Sequence, residues 1–401
     1  MEFTYCKLID VLSNIHSGGT PSTRESSYWG GKIKWLSSGE TSQRFISDTI
    51  DKITDEGVKN SSTKLASKGS IVMACAGQGK TRGQTSYLLD DMYINQSVIA
   101  LETNESVLPL YLFYDLSSRY EELRGGSDAS STRGSITTTS LKNLSFKYPD
   151  LSTQQSIVDI LWGYDSLIEA NNRRIELLEQ AAQELYKEWF VRFRFPGYEN
   201  AKFEDGILEG WAIKRLADYG RVETGKTPST DVLENYGGEM MFVKTPDMHG
   251  NIFIIQTEDK LSERGHNAQP KKLLPANSIM VSCIGTAGVV SINAEPAHTN
   301  QQINSIILNN PNELEWLYHT CKSLKDTIEL FGATGATMTN LSKGKFEKLK
   351  VVDPREDLIL EYHNKVHPLF NEIKSLMYQN QNLAAQRDML LPRLMSGKLE
   401  V

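Results

Sequence analysis

Apolar residues recur along this chain with two spacings, and each pattern occurs twice. Short continuous runs, Ser70-Ile71-Val72-Met73-Ala74-Cys75-Ala76-Gly77 and Ser278-Ile279-Met280-Val281-Ser282-Cys283-Ile284-Gly285, predict buried strands that end in glycine turns. Asn95-Gln96 then precedes an apolar run at 98–101, and Asn300-Gln301 precedes Ile303 and a run at 306–308. A helical stretch follows each copy, around 108–124 and 312–331. The second spacing is longer. From 152 to about 190 there is no proline and one glycine, Gly163. Ile157, Leu161, Tyr164, Ile168, Asn171, Ile175, Leu178, Ala182, Leu185 and Trp189 advance by steps of four and three, which is a heptad seam. A helix of about 39 residues would be roughly 58 Å long, more than a small module can cover, so it needs a second long helix. Tyr362, Val366, Leu369, Ile373, Leu376, Asn380, Leu383, Leu390 and Leu394 supply one, with Arg387 at a seam position. The two are expected to pair antiparallel, with Asn171 and Asn380 as amides that fix register. Pro368 predicts that the second helix starts near it or kinks there.

The duplication extends to the turns. Gly18-Gly19-Thr20-Pro21-Ser22-Thr23 is followed by Tyr28-Trp29-Gly30-Gly31, and Gly225-Lys226-Thr227-Pro228-Ser229-Thr230 by Tyr236-Gly237-Gly238. Thr20 and Thr227 set the offset at 207. Glycine-, serine- and threonine-rich loops recur at 125–135 and 332–340, each leading into a short Leu/Lys segment. The expected fold class is α+β: two repeated α/β modules joined by two long antiparallel coiled-coil helices, related by a pseudo-two-fold axis. Expected boundaries are 1–150 and 207–352 for the modules, and 151–195 and 354–401 for the helices. Phe195-Pro196-Gly197-Tyr198 and Asp353-Pro354 read as linkers.

Composition changes this picture little. With 401 residues, 39% hydrophobic and 23% charged, the chain reads as a globular protein of two to three domains. No apolar run reaches membrane-helix length, and the first residues have no basic-then-apolar leader, so a cytoplasmic location is expected. A net charge of −7 argues against a free-standing nucleic-acid binder, unless one face is basic or a partner supplies the missing charge. Cys6, Cys75, Cys283 and Cys321 are far apart and read as reduced core thiols; no histidine is read at zinc-ligand spacing and no metal site is expected.

Catalytic motifs fail one by one. Ala74-Cys75-Ala76-Gly77-Gln78-Gly79-Lys80-Thr81 resembles a phosphate-binding loop, but no helical periodicity follows it and the matching loop Gly285-Thr286-Ala287-Gly288 has no lysine. No Asn-Pro-Pro motif for gripping a flipped base occurs, nor a carboxylate cluster fit for a nuclease. What remains is recognition chemistry in the loops. Thr20, Ser22, Gln43, Arg44, Gln78, Lys80, Arg82, Gln84 and Arg133 are the candidate DNA contacts of the first copy. Thr227, Ser229, Lys244, Asp247, His249, Asn251, Thr286, Thr337, Asn340 and Lys343 are those of the second. Arginine and lysine suit guanine, and glutamine and asparagine suit adenine, by paired hydrogen bonds in the major groove. Lys343, Lys345, Lys348 and Lys350 suit backbone phosphates.

In order, these motifs resemble the specificity subunit of a type I restriction–modification system along essentially the whole chain. An apolar–Asp stretch followed by Gly-x-Thr-Pro-Ser stands at 8–22 and again at 216–229. The segment from Leu185 through Trp189-Phe190 to Pro196 is similar to the family's central conserved region. Gly206-Ile207-Leu208-Glu209-Gly210-Trp211 opens the second module, with Glu209 where the family usually has proline, and Leu391-Pro392-Arg393-Leu394 resembles its ending. The resemblance implies two target-recognition domains, each reading half of a split double-stranded DNA site, with the helices as spacer. It implies a non-catalytic subunit without cofactor. Two methyltransferase subunits would dock on the helices, and motor–nuclease subunits would join through the methyltransferase core. An assembly scaffold that binds only protein, or an enzyme lacking its catalytic half, are the alternatives from other classes.

Overall fold

A computed structural model of the chain describes residues 2–77, 80–128, 134–204, 206–332 and 340–401. The chain divides into two compact units, Met1–Ile168 with Leu383–Val401, and Glu169–Asn382. Each contains a five-stranded sheet of the same order. In the first unit the strands run Leu12–Ser17, Val98–Thr103, Ile71–Ala74, Thr85–Leu88, Phe45–Ile46. In the second they run Gly220–Thr224, Ile303–Leu308, Ile279–Ser282, Val290–Asn293, Phe253–Ile254. All pairings are antiparallel except that of the last strand, which is parallel to its neighbour in both units.

The central strands are continuous apolar runs because both faces of the sheet are covered. Side chains alternate between two cores. Ile71, Met73, Ile99 and Leu101 pack toward the helices of the first unit, while Val72, Val98 and Ala100 pack with Leu36, Ile94 and Ala66 of a second sheet. In the second unit Ile279, Val281 and Ile306 pack toward the helices, while Met280 and Ile303 pack with Met241, Val243 and Ala297. The second sheet has strands Asp51–Ile53, Trp29–Leu36, Met92–Ile94 and Lys64–Ala66 in the first unit. Its counterpart has Lys260–Leu261, Tyr236–Val243 and Ala297–Thr299. The apolar–Asp signature is a local cap: Asp10 accepts the Lys7 backbone N–H and Asp218 that of Arg215, each at the start of a 3-10 turn.

The two long helices are Leu151–Tyr186, whose end opens into a wider π-type turn at Lys187–Val191, and Glu356–Ser396. The second runs on through Pro368, so it does not start there. Pro368 has no N–H for a bond one turn back, yet flanking Val366 and Phe370 are 0% and 1% exposed, and their burial holds the helix across it. Both units contain an antiparallel stretch of this pair. In the first, Ile157 and Leu161 share a core with Leu391 and Leu394, and Leu390 packs against it. In the second, Ile175, Leu178 and Leu369 pack on a core that includes Ala182 and Ile373. Ile168 and Leu383 are half-buried, and Leu376 is buried. Asn171 Nδ2 donates to Asn380 Oδ1 at 2.8 Å and to Gln379 at 2.9 Å, while Asn380 Nδ2 donates to Asn172 at 2.8 Å.

One polar cluster on the helices was not visible as a seam feature. Asp165, 2% exposed, is paired with Arg387, accepts the Tyr114 hydroxyl at 2.8 Å and lies 3.4 Å from Arg44. Burial, and then Asp165, push the Tyr114 hydroxyl well above its usual range. No helix among the described residues is long and apolar enough to cross a membrane.

Candidate nucleic-acid interface

In each unit the motifs that repeat in sequence meet at one end of the sheets. The Thr-Pro turn touches the Asn-Gln turn: Thr20 Oγ1 donates to Gln96 Oε1, and Thr227 Oγ1 to Gln301 Oε1. The asparagine of each Asn-Gln pair holds its own turn, accepting the N–H of Ser97 at 2.9 Å or of Gln302 at 3.1 Å. The next residue along this turn receives the strand-end cysteine. Cys75 N–H donates to Ser97 O at 2.9 Å, and Cys283 N–H to Gln302 O at 2.7 Å. Each cysteine carbonyl then accepts from the chain leaving the Gly/Ser/Thr-rich loop, Ile136 N–H or Leu341 N–H, both at 2.9 Å. Backbone bonds thereby tie the Asn-Gln turn, the strand end and the loop exit together, and the Thr-Pro turn joins them through its threonine side chain and through Gly18 N–H to Asn95 O at 3.3 Å or Gly225 N–H to Ile303 O at 3.1 Å. Gly18 and Gly225 are needed for that closeness: a Cβ would lie 1.8 Å from Ile94 O in one unit and 2.1 Å from Asn300 O in the other.

The remaining candidate loops reach the same sheet ends. Strand Trp29–Leu36 delivers the turn at Ser38–Ser42, where Thr41 O accepts the Ser86 hydroxyl. Strand Tyr236–Val243 delivers Lys244 and the turn Thr245–Met248, where Thr245 approaches Gln302. Ser291 closes this segment onto the sheet, donating to Asn251 O at 2.7 Å.

The side chains at these ends differ in exposure, and exposure does not mean freedom from the chain: exposed Asn251 donates to Asp247 O at 3.1 Å. Ser22, Gln43, Lys80, Ser229, His249, Asn251, Thr286, Asn340 and Lys343 are exposed. Thr20, Gln84 and Thr227 are half-buried. Lys343 lies 3.7 Å from Glu347, a surface pair that costs little to break. Other candidates are engaged by the chain itself. Arg82, 8% exposed, donates to Gly134 O at 2.9 Å and so secures the exit of the glycine-rich loop. Arg44 lies with its guanidinium 5.0 Å from the Phe113 ring and faces Asp165, on the helix side of the sheet where the second unit has buried Ile252. Asp247 accepts the Lys244 and Glu258 backbone N–H groups at 2.7 and 3.2 Å, and Lys244 is ion-paired with Asp259. Gln78, Arg133 and Thr337 lie outside the described residues.

At these ends burial pushes the Cys283 thiol up to about 11, and raises Cys75 as well, so little thiolate is present at neutral pH. Sequence reading also passed over a pair of histidines elsewhere in the second unit. His363 and His367 stand four apart in one helix, a metal-ligand spacing, and both meet the buried carboxylate of Glu315.

Comparison with known proteins agrees with this duplicated architecture. The profile of the type I restriction modification DNA specificity domain matches residues 2–180 and again 208–356. The chain is 31% identical over 439 aligned positions to the type I restriction enzyme HindI specificity subunit of Haemophilus influenzae, covering 92% of this chain and 94% of that one. It is 27% identical to the MjaIX specificity subunit of Methanocaldococcus jannaschii, covering 98% and 93%. Its fold is similar to the crystal structure of a type I restriction–modification S subunit from M. genitalium, with a TM-score of 0.59 at 16% identity over 98% and 96% of the two chains. Profile and relatives both extend through the two copies of the module, and on that ground the chain belongs to the type I restriction modification DNA specificity domain family.

Proposed function

We propose that the chain is the DNA-recognition subunit of a type I restriction–modification complex, with one half of a split site read by the sheet end of each unit. The observation that carries this is the pairing of a constant frame with unlike side chains. The bonds Thr20–Gln96, Cys75–Ser97 and Ile136–Cys75 recur as Thr227–Gln301, Cys283–Gln302 and Leu341–Cys283. The exposed residues carried on that frame differ: Gln43 and Lys80 in one unit, His249, Asn251 and Thr286 in the other. Two readers of one design with different surfaces suit two unlike half-sites, so the target is asymmetric.

The chain itself is proposed to be non-catalytic and to act in the cytoplasm. Two methyltransferase subunits would dock on the long helices and bring the nucleases with them. Those partners would also supply the positive charge that a net −7 chain lacks. The helices, each contributing to both units, would set the number of bases between half-sites.

The two kinds of contact separate in a binding experiment with the methyltransferase complex. Lys345→Ala removes an exposed cation suited to phosphate. It should weaken binding to all sequences alike and lower the log–log salt slope by about 0.9. Asn251→Ala removes a candidate base reader. It should relax preference at one position of one half-site, by about 1–3 kcal/mol, and leave the salt slope unchanged. Loss of complex assembly with intact DNA contacts would instead favour a protein-binding scaffold.

A further inference from the structure

Glu315 lies in the helix Leu314–Ser323 of the second unit and is 0% exposed. A carboxylate so placed must be compensated, because burial without partners costs several kcal/mol. Its two oxygens are met separately: His363 Nδ1 stands 2.7 Å from Oε2, and His367 Nδ1 stands 2.8 Å from Oε1. The two histidines are one turn apart on the same face of Glu356–Ser396, with ring centroids 4.6 Å apart. The three donor atoms lie within 4.8 Å of one another. The fold does not demand this cluster. The first unit places the half-buried Leu110, which packs against its apolar core, at the matching position of the matching helix Pro109–Ser118.

We propose that Glu315, His363 and His367 form a binding site for a divalent transition metal of zinc type, which clamps the helix Leu314–Ser323 to the C-terminal helix. Two imidazole nitrogens and one carboxylate oxygen are a ligand set that zinc takes up. Each imidazole turns Nδ1 toward the carboxylate, so with its proton held on Nε2 each ring offers an Nδ1 lone pair to one ion that the Glu315 carboxylate also reaches. Zinc ligands stand about 2.0–2.2 Å from the metal, which sets donors roughly 3.3 Å apart. The two nitrogen–oxygen separations, 2.7 and 2.8 Å, are about half an ångström shorter than that and the whole set spans no more than 4.8 Å, and His367, with its side chain 43% exposed, has room to turn outward to adjust. The same exposure gives the ion a way in and leaves a fourth position for water. The ligands come from two helices, so a bound ion ties those helices together. It tightens the packing of one module on its helix and takes no part in reading DNA.

The test uses the full chain without a histidine tag, stripped with chelator and titrated with Zn2+ by calorimetry and with Co2+ by visible absorption. One equivalent of Zn2+ should bind and raise the melting temperature, and Co2+ should give the visible bands of a low-coordinate nitrogen–oxygen site. His363→Gln and His367→Gln keep an amide donor for Glu315 but remove the imidazole ligand. Each should weaken the metal by about 100-fold or more, since loss of second-shell support alone costs 10–100-fold. Absence of stoichiometric binding, or binding that both variants retain at full affinity, overturns the proposal. Should a variant fail to fold, the wild-type chain still decides it. Zn2+ should protect His363 and His367 from acylation by diethyl pyrocarbonate, and equal modification with and without the ion is the contrary result.

Discussion

Arg387→Met is expected to destabilise the first unit by about 3 kcal/mol, among the largest effects of any single substitution in the helices. Arg387 and Asp165 are 6% and 2% exposed, so removing the guanidinium leaves a carboxylate in the interior. The general cost of breaking a buried pair is about 3–5 kcal/mol. The lower end applies here because Tyr114 still donates to Asp165 at 2.8 Å and Arg44 remains 3.4 Å away. Replacing the three buried partners together, Asp165→Leu with Arg387→Leu and Tyr114→Phe, should recover most of that loss, since apolar packing replaces a pair that paid heavily for desolvation. Urea midpoints measure both. A single variant within about 1 kcal/mol of wild type would mean that the pair does not hold the helices.

The second large effect concerns spacing. A matched insertion of seven residues into both long helices, next to Asn171 and next to Asn380, preserves the heptad seam on either side. It lengthens each helix by about 10 Å at 1.5 Å per residue, or about three base pairs at 3.4 Å each. The gap in the recognised site should grow by that number while both half-sites stay the same. Inserting four residues into the central helix alone turns the seam by about 40° at 3.6 residues per turn and separates Asn171 from Asn380. Complex assembly should then fail. Methylation of an unchanged site by the seven-residue variant would show that the helices do not measure the gap.

The duplicated frame was legible in the sequence because its parts are restrictive. A glycine under a carbonyl, a proline turn and an asparagine that holds its own turn each allow few substitutes, so they recur as letters. The strands around Ile71–Ala74 and Ile279–Ser282 were legible because both faces are buried and the run is apolar throughout. Partners far apart in sequence were not. Asp165 reads as an ordinary helix carboxylate until residues 44, 114 and 387 close on it. Glu315 reads as a surface acid until two histidines cover it. Arg82 looks like a base reader from its loop, yet its guanidinium is turned inward to a carbonyl 52 residues away. The helix start offered at Pro368 fails for the opposite reason: local propensity disfavours proline inside a helix, and burial on both sides carries the helix through it.

That two unlike readers serve one DNA site is tested most directly by mapping adenine methylation across a genome that encodes this chain and its methyltransferase, with the gene intact and deleted. The predicted result is the loss of one asymmetric motif, two short half-sites separated by a fixed number of unspecified bases. Retention of every methylated motif, with the methyltransferase still expressed, would contradict it.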